Sequence, residues 1–190
     1  QEGNFDWAGI GTINMLNTKY LIAGAETNSV FENPEANGPA WVPGQLVPVG
    51  SNKEEMDKLG TLDTKAQATI NTKEYGEQAA GVGTITLTKH APNEMSYRAE
   101  MTKAGLGVFS EIYYPAGWTA KVDGKEVPIL RTNYLLRGLN IPAGTHEIVF
   151  TFAPASYTAT KTPMILFQYA LVILLIVGLV TTYRKSDASR

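Results

Sequence analysis

Gly83–Thr102 reads GTITLTKHAPNEMSYRAEMT. In its first half Ile85 and Leu87 alternate with Thr84, Thr86 and Thr88. In its second half Met95, Tyr97, Ala99 and Met101 alternate with Ser96, Arg98, Glu100 and Thr102. A period of two sends apolar side chains to one face of an extended chain and polar ones to the other, so each half predicts a half-buried strand. Ala91-Pro-Asn-Glu94 between them supplies a turn. The pattern runs on through Leu106–Tyr114, Trp118–Val122, Glu126–Arg131, Tyr134–Asn140 and His146–Phe152, where Ile148, Phe150 and Phe152 share a face. Pro115-Ala-Gly117, Asp123-Gly124 and Pro142-Ala-Gly144 interrupt it, and Asp-Gly between two apolar runs is a strong two-residue hairpin signal. Short strands at this spacing predict a mainly β fold, an antiparallel sandwich of jelly-roll or immunoglobulin-like type over residues 80–154.

Upstream, residues 1–75 read as a short α/β segment. Gly11–Asn17 predicts a helix or turn and Lys19–Ala23 a strand. Pro34, Gly38, Pro39, Pro43 and Pro48 keep residues 27–50 extended. Ser51-Asn-Lys-Glu54 has capping-box spacing and opens a helix to Leu59, closed by Gly60; Ala66–Asn71 predicts another strand.

Downstream the composition changes. Met164–Tyr183 reads MILFQYALVILLIVGLVTTY, with twelve Leu, Ile, Val or Phe and Gln168 as its one strongly polar side chain. Twenty residues at about 1.5 Å each span about 30 Å, the thickness of a bilayer's hydrocarbon core. Residues 164–183 therefore predict a transmembrane helix that makes the lipid bilayer a partner, after a linker at 155–163 and before a tail at 184–190. Arg184, Lys185 and Arg190 follow the span, against Lys161 alone among Lys and Arg within twenty residues before it. That asymmetry places the tail in the cytoplasm and the β domain outside. QEGNFDWAGIGTINML at the start has neither the basic region nor the apolar core of a signal peptide. The expectation is that upstream transmembrane spans of the same protein carry the domain across.

Composition bounds the chemistry. Sixteen Lys and Arg against eighteen Asp and Glu leave a net charge of −2 over 190 residues, which gives no electrostatic footprint for nucleic acid. The absence of cysteine removes disulfides and thiolate–zinc sites. His90 and His146 lack further ligands at helical or strand spacing, so no metal site or cofactor is expected. His146, where a turn enters a strand, reads as a hydrogen-bonding residue. Gly81-Val-Gly83 lacks the third glycine and following helix of a dinucleotide loop. Asp6, Asp57, Asp63 and Asp123 are scattered through turns and ends, Asp123 as a turn former, so no catalytic residue is assigned. The candidate ligand-binding set is aromatic and basic: Tyr113, Tyr114, Trp118, Arg131, Tyr134 and Arg137. Aromatic faces stack on sugar C–H surfaces, and guanidinium forks hold hydroxyls or phosphates. The same residues also read as core rings and solvated strand arginines, and Asn133 as a turn residue.

The order of motifs in Tyr113–Pro154, YYPAGWTAKVDGKEVPILRTNYLLRGLNIPAGTHEIVFTFAP, resembles the C-terminal part of the YfhO-type family of bacterial membrane proteins. The shared features are a tyrosine-rich strand, a Pro-Gly-Trp turn with Ala116 inserted here, a Val-Asp-Gly hairpin, an asparagine near aromatics, and a Pro-Ala-Gly-x-His strand. Leu16-Asn-Thr-Lys-Tyr-Leu-Ile22 and Asn33–Val42 fit the same family, so the resemblance covers nearly the whole chain. The family in turn resembles membrane glycosyltransferases that use polyprenyl-phosphate sugars, whose catalytic carboxylate lies among N-terminal spans. The resemblance implies a bacterial inner-membrane protein of which this chain is a non-catalytic extracytoplasmic accessory domain, near a glycan or lipid-linked sugar. A tethered carbohydrate-binding module and a purely structural or assembly domain are the alternatives.

Overall fold

The computed structural model describes residues 6–7, 9–26 and 29–187. The chain divides into two compact units, Gln1–Phe152 and Ala153–Arg190. The first is mainly β, as the alternation predicts.

The two halves of the opening stretch are β6 (Val82–Ala91) and β7 (Glu94–Lys103), paired antiparallel from Val82↔Lys103 to Ala91↔Glu94. With β9 (Trp118–Val122), β10 (Lys125–Val127) and β13 (Gly144–Phe152) they build a five-stranded sheet in the order β10-β9-β13-β7-β6. The second sheet contains β8 (Gly105–Ile112), β11 (Leu130–Thr132) and β12 (Leu136–Ile141). It is completed from the N-terminal segment by β3 (Ala40–Trp41), β4 (Gln45–Val49) and β5 (Gln67–Asn71), in the order β3-β8-β12-β11-β5-β4. Residues before 75 thus supply three of that sheet's strands, and β4–β5 is a parallel pair in otherwise antiparallel sheets.

The alternating faces meet between the sheets. Tyr97 and Phe150 of the five-stranded sheet and Phe109 of the six-stranded one form an edge-to-face trio, with centroids 4.9–5.9 Å apart. All three rings are essentially buried. T-shaped geometry aligns ring edges with π faces and adds to the area each ring removes from water. A further cluster, Met15, Leu59, Ala68, Val108 and Leu136, packs α1 (Gly11–Met15) and α2 (Asn52–Leu59) onto the six-stranded sheet. β1 (Tyr20–Ile22) and β2 (Val30–Glu32) form a separate hairpin.

Two expectations differ in detail. Glu126–Arg131 is not one strand: β10 ends at Val127 and β11 begins at Leu130, and across Pro128 the chain passes from one sheet to the other. Pro128 has no N–H for a ladder, which makes it a natural break. Residues 155–163, expected as a linker, are helical within α4 (Ala155–Asp187), which includes Pro163. The helix has the length and apolar composition of a membrane span over Ala155–Thr181. Its large side chains from Met164 to Val180 are exposed. α3 (Thr72–Tyr75) completes the helices among the described residues.

Candidate functional site

The register of the six-stranded sheet brings the two candidate arginines together. Arg131 of β11 is directly opposite Arg137 of β12, and Arg137 is opposite Phe109 of β8. Directly paired residues project to the same face of a sheet, and Phe109 belongs to the inter-sheet core. Both guanidinium groups therefore start from the face that meets the five-stranded sheet.

Arg137 stays inside, 3% exposed. Its guanidinium carbon lies 4.0 Å from the Trp118 ring centroid and 5.5 Å from that of Phe150. The Nε donates to the Ile112 carbonyl at 3.0 Å. Nη1 is buried without a hydrogen-bond partner among the described residues. Burial lowers the Arg137 pKa, while Glu111 and Tyr97 act in the opposite sense. Guanidinium is more weakly hydrated than ammonium and stacks on π faces, which suits it to this position where lysine would not be.

Arg131 turns to a different set of partners. Nη1 donates to the Tyr134 carbonyl at 3.0 Å, and Nη2 donates to Asn52 Oδ1 at 2.6 Å. Nη2 also lies 3.5 Å from Glu55 Oε2 and 3.6 Å from Glu74 Oε2. Glu55 is fully buried. Its Oε1 accepts from the Thr69 hydroxyl at 3.1 Å and from the Tyr134 N–H at 2.9 Å. The turn that presents that N–H is unusual: Asn133 and Tyr134 both have positive φ, 47° and 67°. The Asn133 side chain fastens the turn by accepting the Thr69 N–H at 2.7 Å. Positive φ costs a non-glycine residue free energy, and the Glu55 and Thr69 bonds hold the turn there.

The remaining candidates line a small groove. Tyr113, Tyr114, Pro115, Trp118, Glu126 and Ile129 are among its walls, and its volume is about 180 Å³. Tyr114 is 54% exposed; Tyr113 and Trp118 are half-buried. Trp118 also packs against Phe152 at a centroid separation of 5.1 Å. The six sequence candidates thus fall into three places. Tyr113, Tyr114 and Trp118 share the groove, Arg137 stacks behind Trp118 in the core, and Arg131 and Tyr134 join a buried polar cluster around Glu55.

Glu55 and Thr69 were not among those candidates. Glu55 sits four residues before the buried Leu59 on α2, so the two share a helix face, while Met56 is 52% exposed. A carboxylate on the buried side of a short helix was the available signal. His146 makes the hydrogen bonds expected of it: Nδ1 lies 2.7 Å from Asp123 Oδ2, and Nε2 lies 3.2 Å from the Ala143 carbonyl. Asp123 has φ 50° and Gly124 φ 78°, the left-handed pair of a tight hairpin turn. Asp123 Oδ1 also accepts the Glu147 N–H at 2.9 Å. Asp63 caps its own loop, accepting from the Lys65 N–H at 3.1 Å. It borders a cleft of about 780 Å³ between residues 9–14 and 59–65, where Lys65 is paired with Glu35. Among the described residues no three His, Asp or Glu side chains converge to hold a metal.

Residues 57–161 match the family model described as bacterial membrane protein YfhO. The match covers more than half of the chain, from the end of α2 through the strands β5 to β13, and stops before the apolar run. No curated protein and no solved structure matches the chain.

Proposed function

We propose, because the chain belongs to the YfhO family of bacterial membrane proteins, that the unit Gln1–Phe152 is a non-catalytic accessory domain of a multi-span, glycosyltransferase-like protein. Met164–Tyr183 spans the bacterial inner membrane, with the β unit outside and the basic stub inside. There the domain aids the handling of a cell-envelope glycan or lipid-linked sugar by upstream spans of the same protein. The observation that carries this reading is the join between the units. A β unit with its own core passes through Ala153 and Pro154 into a helix whose central twenty residues are uncharged and whose exit carries Arg184 and Lys185.

The groove supports the glycan part of the reading. Tyr113, Tyr114 and Trp118 offer stacking faces, and Glu126 offers a carboxylate for hydroxyls. Its volume of about 180 Å³ is below the range of about 300–1,000 Å³ of enclosing small-molecule sites. That suits a sugar ring held in passing better than a substrate sealed in for chemistry. The stacking of Trp118 beneath Arg137 favours a second, purely structural reading, in which the aromatic residues serve the fold alone.

Three experiments test these statements. Protease added to spheroplasts should remove an epitope at residue 104 and spare one after residue 187; the reverse pattern overturns the orientation. Titration of the chain in nanodiscs with envelope saccharides should give millimolar binding that Tyr114→Ala weakens at least fivefold without changing the unfolding midpoint. Equal response by both proteins, or none, favours the structural reading. A tethered carbohydrate-binding module is separated from an accessory domain by deleting residues 6–152 from the full protein. Sugar transfer lost with the deletion supports the accessory role.

A further inference from the structure

The two large sheets have four edges, and three of them are blunted. β10 has three residues and β3 has two, while β4 carries Pro48, which has no N–H to offer a neighbour. The fourth edge is β6, ten residues long and paired with β7 alone among the described strands. Every second residue of an edge strand turns its N–H and C=O away from its sheet, a row that another strand can complete. Charge, proline and bulges are the usual guards of such a row. From Val82 to Thr88 the sequence VGTITLT holds neither a charge nor a proline. Lys89, the first charge, is held within its own hairpin, with Nζ 2.6 Å from Glu94 Oε1. The bulges lie at the ends of the tract: the register with β7 shifts between Val82 and Gly83 and between Leu87 and Lys89, and is one-to-one over Gly83–Leu87.

Thr84, Thr86 and Thr88 are exposed, whereas Ile85 is 7% exposed and belongs to the core with Ala40 and Val42. The edge therefore offers its backbone and its threonines rather than an apolar face, and threonine pairs well with threonine across strands. The tract is complementary to itself. Turned about a two-fold axis at Ile85, an antiparallel copy sets Thr84 opposite Thr86, Gly83 opposite Leu87 and Ile85 opposite Ile85. A residue without a side chain meets a large one, and hydroxyl meets hydroxyl. Val82 falls opposite Thr88, so the irregular positions coincide at both ends of the ladder. Lys89 falls opposite Gly81, and no two like charges face each other. An isologous contact between identical chains requires this kind of self-complementarity.

We infer that β6 is a dimerisation edge: two copies of this chain pair antiparallel through Gly83–Leu87 and join their five-stranded sheets into one of ten strands. The inference goes beyond the handling of a sugar and does not depend on it, because the groove at Trp118 is built on β9, three places away from β6 in the sheet.

The chain has no cysteine, so single spin labels are unambiguous. Glu147→Cys on β13 and Lys121→Cys on β9, both exposed positions, are labelled in the full chain in detergent micelles. Distances between copies are read by pulsed dipolar spectroscopy. β13 and β9 stand two and three places behind β6. At about 4.8 Å per strand, pairing through β6 predicts about 25 Å between the labels at 147 and about 35–40 Å between those at 121. Thr84→Lys with Thr86→Lys sets like charges directly opposite each other across the ladder. It should abolish both distances and leave the unfolding midpoint unchanged, and mixing in Thr84→Glu, Thr86→Glu chains should restore them. A shorter distance at 121 than at 147 puts the contact on another face and overturns the pairing. No defined distance at either position overturns self-association. Distances that survive the lysine pair overturn the ladder.

Discussion

A carboxylate closed off from water has to be held, and Glu55 is held by three groups: the Thr69 hydroxyl, the Tyr134 N–H and the Arg131 guanidinium. Removing one partner of a buried pair strands the other, which costs about 3–5 kcal/mol when both are sealed. Arg131 keeps some solvent contact, so Glu55→Ala should cost about 3 kcal/mol, measured as the shift of the chemical unfolding midpoint at constant slope. Glu74, half exposed and 3.6 Å from the same guanidinium, should cost less than about 1 kcal/mol as Glu74→Ala. Equal effects would mean that Glu55 is not the residue that anchors the 133–134 turn. The His146–Asp123 pair makes a pH prediction. The hydrogen bond that Asp123 accepts from His146 raises the His146 pKa, and the bonds donated by His146 and the Glu147 N–H lower that of Asp123. A raised histidine stabilises below its unfolded value, about 6.5, and loses that contribution as pH rises through the folded value. A lowered aspartate stabilises above its unfolded value, about 3.9, and loses that contribution as pH falls through the folded one. The stability difference between wild type and His146→Ala should therefore be largest between about pH 4 and 6.5 and shrink by pH 8. A difference that grows toward pH 8 would reverse the assignment. The histidine and its turn were legible because Asp-Gly and Pro-Ala-Gly are local signals. Of the six candidate site residues, the groupings of Tyr113, Tyr114 and Trp118 and of Arg131 and Tyr134 follow from proximity in sequence. Glu55 meets Arg131 through a fold-level pairing that no local pattern announces.

Among the elements, those set by period and turn chemistry were legible, and those set by tertiary pairing were not. β6, β7, β9 and β13 emerge from alternation and their turns. α2 emerges from Ser51, whose hydroxyl accepts the Glu54 N–H at 3.2 Å; Ser51→Ala should cost about 1 kcal/mol in the same unfolding assay. β3 and β4 lie in a proline-rich tract without alternation and exist because β8 and β5 offer them unpaired edges. The helical 155–163 segment, with its threonines and Pro163, has no apolar period of its own. A helix already nucleated by the downstream apolar run extends upstream at the smaller cost of propagation. The glycines of Gly81-Val-Gly83 find their explanation here too. A Cβ on Gly83 would lie 2.4 Å from the Glu100 carbonyl oxygen and 2.8 Å from the Met101 Cα, both backbone atoms of the neighbouring strand. The β6–β7 ladder can admit it only by separating, so Gly83→Ala should destabilise the domain by about 1–3 kcal/mol. Gly124→Ala tests a different cost, the left-handed φ of 78° with open space around it. Its effect should stay near 1 kcal/mol. A smaller loss at Gly83 than at Gly124 would contradict the close approach of the two strands.

At the level of the whole molecule, the chain is written for two solvents. The β unit buries its apolar faces between two sheets, whereas the apolar side chains of α4 are turned outward along its length. An outward apolar helix is costly in water and stable in lipid, and the accounting is short. Twelve Leu, Ile, Val and Phe side chains between Met164 and Tyr183, at about 0.3–0.6 kcal/mol each, favour insertion by about 5 kcal/mol in sum. One arginine at the centre opposes insertion by about 2.5–3.5 kcal/mol. Leu174→Arg alone should therefore leave the 190-residue chain in the membrane pellet after alkaline carbonate extraction. Leu174→Arg with Leu175→Arg also removes two insertion-favouring leucines and adds about 5–7 kcal/mol of opposition, so this chain should move to the supernatant. The β unit should keep its unfolding midpoint in both variants, since its core is its own. A double variant that still pellets with the membrane, its β unit folded, would show that something other than the fit of this helix to hydrocarbon holds the chain there. The span would then have to be read as a partner-binding helix, and the orientation argument built on Arg184 and Lys185 would lose its footing.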